Sequence, residues 1–116
     1  MDKKECVTEL QQLIADAQKL LDFLQQKKSP EYKDQAREML KAFKKRLGDA
    51  YKTMDKVSAT EKITETEENY FLPAVHKAYA NLTITSGSTP NEKWAFELID
   101  TQNTLTDYLD QLKDET

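Results

Sequence analysis

Residues 3–26 read KKECVTELQQLIADAQKLLDFLQQ, and their apolar side chains decide the fold class. Val7, Leu10, Ile14, Ala17, Leu21 and Leu24 follow one another at alternating spacings of three and four, the period of one helix face. Leu13, Leu20 and Phe23 widen that stripe beyond the seam of a two-stranded coiled coil, so the helix is patterned for a bundle core. Asp2 stands where its carboxylate can accept from the exposed amide three residues on, and Glu5 can answer it as a capping box.

The same period recurs downstream. Ser29-Pro30-Glu31 offers a hydroxyl cap and a proline where no amide partner is needed. A second helix is expected over residues 30–57, with Ala36, Leu40, Phe43, Leu47, Ala50, Met54 and Val57 as its stripe and Tyr32, Met39 and Tyr51 flanking it. Gly48 lies inside it, weakening the helix or permitting a close crossing. The short link between the two helices implies an antiparallel hairpin.

Residues 58–69 hold only Ala59 and Ile63 as apolar groups. Ser58 and Glu61 have capping-box spacing, so the stretch reads as the exposed first part of a third helix, or as a loop. Tyr70 to Leu82 then nearly encircles a helix with apolar groups, interrupted by His76, Lys77 and Asn81. A third helix over 59–82, kinked near Pro73, is expected to need cover on more than one side. Thr89-Pro90-Asn91-Glu92 starts a fourth helix over 90–113. Its stripe is Trp94, Leu98, Thr101, Leu105, Tyr108 and Leu112, with Ala95, Phe96, Ile99 and Leu109 broadening it and a polar centre at Thr101–Thr104. The sum is a single all-α domain, an antiparallel up-and-down four-helix bundle. The alternative is a three-helix bundle with residues 58–69 mobile.

Composition agrees. The chain has 116 residues, with 2 Gly, 3 Pro and 1 Cys, too few for a turn-rich β sandwich or a disulfide-stapled scaffold. No apolar run approaches the roughly 18 residues that span a bilayer, and the N-terminus is not patterned as a signal segment, so a cytoplasmic protein without membrane insertion is expected. The net charge is −4, distributed unevenly: residues 1–26 carry −2, residues 27–56 carry +5 and residues 57–116 carry −7. That balance opposes long-range attraction to nucleic acid or anionic lipid everywhere except the second helix.

No catalytic constellation is visible. The single Cys6 and single His76 would have to meet to form a nucleophilic pair, and the helix dipole at the first turn is all that would favour a Cys6 thiolate. The residue three before His76 is Pro73, which fails the Glu-x-x-His pattern of di-iron bundles. The glutamates at 61, 65, 67 and 68 lack the spacing of a calcium loop. No enzyme activity, metal or cofactor is therefore expected.

What remains is binding. The spare apolar face of the third helix, Leu72, His76 and Tyr79, with the acidic Glu65 and Glu68 before it, is expected to contact another protein or a second copy. On this reading the chain is a non-enzymatic interaction module, a small acidic adaptor, inhibitor or regulator of the immunity-protein or antitoxin kind. The first alternative is nucleic-acid or ribosome association through Arg37, Lys41, Lys44, Lys45 and Lys52, joined by Lys33 on one broad side of the second helix. The second is a carrier holding an apolar ligand between helices. Leu20-Leu21 and Lys45-Arg46-Leu47-Gly48-Asp49-Ala50 also resemble the cytoplasmic hairpin of bacterial ribosome-associated, membrane-anchored proteins. The resemblance covers less than half the chain and lacks that family's anchor, so no function is carried over.

Overall fold

The first helix begins where its cap predicts. In the computed structural model, the Glu5 amide donates to Asp2 Oδ1 at 2.8 Å and the Asp2 amide donates to Glu5 Oε1 at 3.3 Å. The structure describes residues 2–26, 31–60, 64–83 and 91–114, and for residues 53–60 the backbone alone. The elements are α1 (Lys3–Gln26), α2 (Tyr32–Thr60), a π turn (Glu67–Phe71) leading into α3 (Leu72–Asn81), and α4 (Asn91–Asp114). They form an antiparallel four-helix bundle. Around the bundle, α1 packs on α2 and α4, and α3 packs on the same two helices from the other side. The caps expected at Ser29-Pro30 and Thr89-Pro90 lie outside the described residues.

The core register of α1 differs from the expected stripe. Cys6, Leu10, Leu13, Ala17, Leu20, Leu21 and Leu24 are buried, whereas Val7 and Ile14 are only partly so. The stripe turns by one residue because α1 must face both α2 and α4. Cys6, in the first turn of α1, is sealed at 0 % exposure. On α2, Ala36, Leu40, Phe43 and Leu47 are buried as patterned. Met54 and Val57 belong to the stretch whose side chains are not described.

The link between α2 and α3 needs correction. Ser58 does not restart a helix, because α2 runs through it to Thr60. The restart is at Thr64. Its hydroxyl accepts from the Glu67 amide at 3.1 Å, and its own amide donates to Glu67 Oε1 at 3.1 Å. The kink expected at Pro73 is realised as the π turn, where the Leu72 amide reaches back five residues to the Glu67 carbonyl. Pro73 follows with no amide to offer, so the wide turn ends where the α register resumes.

Two expectations for α4 also change. Phe96 and Ile99 do not broaden the core; they are 69 % and 46 % exposed. Each lies too far around the helix from the buried line Trp94, Leu98, Thr101, Leu105, Leu109 and Leu112. Leu109 takes the core position expected of Tyr108, which is half-buried. The polar centre of α4 cross-links the bundle. Thr101 Oγ1 donates to the Glu97 carbonyl at 2.9 Å within the helix. Gln102 Nε2 donates to the Ile14 carbonyl at 3.3 Å and to Gln18 Oε1 at 3.0 Å on α1. Thr104 Oγ1 accepts from Asn81 Nδ2 at 3.0 Å on α3. No described helix is long and apolar enough to cross a membrane.

Candidate docking face

Spacing on α2 places a row of cations beside α3. Lys41, Lys44, Lys45, Gly48 and Lys52 fall within three turns of one another, and with Asp49 and Tyr79 they line an open groove of about 350 Å³. Gly48 brings the two helices together, as its place in the second helix allowed. A Cβ there would stand 2.8 Å from Tyr79 Cε2. Lys44 bends into the junction, donating to the Leu82 carbonyl at 2.6 Å and standing 4.6 Å from the Tyr79 ring centre. It thus answers the carbonyl end of α3, where a cation is favoured. Lys45 pairs with Asp49 at 2.9 Å and Lys41 with Glu38 at 3.7 Å, both exposed pairs on one helix and weak.

A second cleft of about 310 Å³ adjoins this one, lined by Tyr51, Leu72, Pro73, His76 and Lys77. Tyr51 joins the two: its ring centre is 4.9 Å from His76 and 5.9 Å from Tyr79. The residues expected as a protein contact and those expected as a nucleic-acid patch are therefore neighbours. Leu72 and His76 line the cleft, while Tyr79 belongs to the lysine groove. Arg37 is not among the groove's lining residues and is half-buried, with its Nε enclosed and unpartnered. Lys33 lies 5.5 Å from the Trp94 ring centre. Glu65 and Glu68 are exposed on the turn before α3 and line neither cleft.

The third helix does not carry the bare apolar face expected of it. Leu72 and Tyr79 are half-buried beside α2 and His76 is exposed. The large exposed apolar side chains among the described residues are Met39, Phe96 and Ile99. Met39 edges a mostly apolar groove of about 330 Å³ between α1 and α2, closed by Arg46. Arg46 holds α1 through Glu9 at 2.9 Å and through Asp16. Sequence reading treated Tyr51 only as a flank of the core, and no spacing rule marks it as the hinge between two clefts.

The remaining chemistry is structural. Burial pushes the Cys6 thiol up to about 11, and the neighbouring Glu67 carboxylate adds to the shift. At neutral pH the thiol is protonated, and the helix dipole does not make it a nucleophile. Burial opposes ionisation of Glu67 as well, but favourable contacts, the hydrogen bonds from Thr64 first among them, together outweigh this and hold the carboxyl below its ordinary value. Among the described residues, no three His, Cys, Asp or Glu side chains converge to hold a metal. Asn91 Oδ1 and Trp94 Nε1 are enclosed without partners at the start of α4, where Asn91 Nδ2 donates to the Tyr32 hydroxyl at 2.5 Å. Compared with known proteins, the chain matches no family model, no curated protein and no solved structure.

Proposed function

We propose that this chain is a non-enzymatic protein-binding module that takes an acidic segment of a partner protein across its α2–α3 face, acting as an adaptor or regulator. The observation that carries the reading is the convergence of Lys41, Lys44, Lys45 and Lys52 on one groove with a single carboxylate, Asp49, beside an apolar cleft. Cations flanking an apolar cleft suit a helix with acidic and apolar stripes. The groove is poorly equipped for nucleic acid. Its cations are all lysines, without the forked donors that arginine offers to phosphates and bases. The Tyr79 ring is already engaged by Lys44, Tyr51 and the backbone at Gly48, so no free aromatic face awaits a base. The free buried thiol fits a reducing compartment such as the cytoplasm.

The test is fluorescence anisotropy with the whole chain and a labelled Glu-Leu peptide long enough for about four helical turns. Binding is expected to weaken with salt. The K41E/K45E/K52E variant should lose at least about tenfold in affinity, and L72E should weaken it separately. A peptide that is not bound, a triple variant that binds as well as the parent, or tighter binding of a single-stranded RNA of matched charge would overturn the proposal.

A further inference from the structure

Exposed charge runs from Lys41 and Lys45 on α2 to Glu68 and Glu65 on the turn before α3, at opposite ends of the Tyr51–His76 contact. Near the middle stand Tyr51 of α2 and His76 of α3, 4.9 Å apart between ring centres, with the Leu72–Pro73 cleft beside them. To one side lie Lys45 and Lys41, about 9 and 15 Å from Tyr51 along α2 at 1.5 Å per residue. To the other side lie Glu68 and Glu65, eight and eleven residues before His76 and so at most about 12 and 16.5 Å away, since the π turn lies between. All four charged side chains are exposed. Glu68 precedes Leu72 by four residues and so stands about one turn further along the same side.

We infer that a second copy of this chain docks on the α2–α3 face about a twofold axis near Tyr51 and His76, setting Glu65 and Glu68 of each copy against Lys41 and Lys45 of the other. A twofold contact requires one patch to complement itself, and the near-equal spacing of the two charge pairs from the apolar centre meets that requirement. The occupant follows from charge: exposed Glu65 and Glu68 stand at one end and exposed Lys41 and Lys45 at the other, so each copy offers what the other's groove attracts. The exposed pairs Lys41–Glu38 and Lys45–Asp49 yield readily to this contact. Lys77 lines the same cleft, but its ammonium reaches toward α4 and lies 5.2 Å from the Tyr108 ring centre. The inference rests on the groove reading above and adds its regulation: self-association and capture of an acidic partner compete for the same lysines.

Sedimentation equilibrium on the whole chain tests it. The mass should rise with concentration from 13.4 kDa toward twice that value, and fall back in high salt. K41E/K45E and E65K/E68K should each stay monomeric, and mixing the two should restore a heterodimer. The peptide should dissociate the parent dimer. A parent chain that stays monomeric while still capturing the peptide overturns this inference and leaves the groove reading standing. A dimer unaffected by E65K/E68K, or a mixture that stays monomeric, also overturns it. A chain that neither captures the peptide nor self-associates overturns both readings.

Discussion

Gly48 shows how one residue sets a helix crossing. In isolation, alanine at a helix interior is favoured over glycine by about 1 kcal/mol. Here the added Cβ would stand 2.8 Å from Tyr79 Cε2, and the ring cannot swing freely because Tyr51 and Lys44 flank it. Overpacking of this kind costs roughly 1–3 kcal/mol. G48A is therefore expected to destabilise the parent chain, but to stabilise a Y79A background by up to about 1 kcal/mol, where the ring is gone. Urea unfolding of the four chains reads the reversal of sign; an equal effect in both backgrounds would remove Tyr79 as the cause. The glycine was legible only as a weak point or a close approach, since it interrupts an otherwise strong helical pattern, and the Tyr79 contact selects the second. The burial of Cys6 was not, since Val7 satisfies the same heptad spacing and only packing against two neighbours selects between them.

At the scale of elements, the start of the third helix turned on competing caps. Ser58-x-x-Glu61 and Thr64-x-x-Glu67 have the same spacing, and both sit in a polar stretch. The second is used, and Glu67 is buried in forming it. T64A should cost about 1 kcal/mol, the usual worth of such a cap, measured by urea unfolding at neutral pH. Because the folded Glu67 carboxyl is held below its ordinary value of 4.5, its contribution is complete above that pH and is lost as pH falls through the folded value. E67Q should accordingly show a shallower loss of stability in acid than the parent, and an unchanged acid limb would contradict the role assigned to the box. The four helices themselves were readable from their apolar period, and the α1 cap from Asp2 and Glu5. The π turn was not, because Pro73 predicts a break in the hydrogen bonds and leaves open how the chain repairs it. The polar centre of α4 was visible as an anomaly, yet only three-dimensional placement shows Gln102 and Thr104 as cross-links to α1 and α3.

At the scale of the whole molecule, most residues of the two candidate surfaces read from sequence as rivals adjoin on one face, with Arg37, Glu65 and Glu68 outside its clefts. The lysines of α2 were legible from their spacing, and Leu72 and His76 from the apolar character of α3. Their adjacency depends on the Gly48–Tyr79 crossing, which no local pattern specifies. The sequence also implied a bare apolar face on α3, whereas α2 covers part of it, and two of the three large exposed apolar side chains among the described residues, Phe96 and Ile99, form a pair on α4. That pair offers the sharpest rival location for a partner, since exposed apolar side chains attract interfaces on their own. Amide chemical-shift mapping of the whole chain, titrated with the Glu-Leu peptide, separates the two. The α2–α3 face predicts the largest shifts at Lys41, Lys45, Lys52, Tyr51, Leu72, His76 and Tyr79; shifts confined to Phe96, Ile99 and their neighbours on α4 would contradict it.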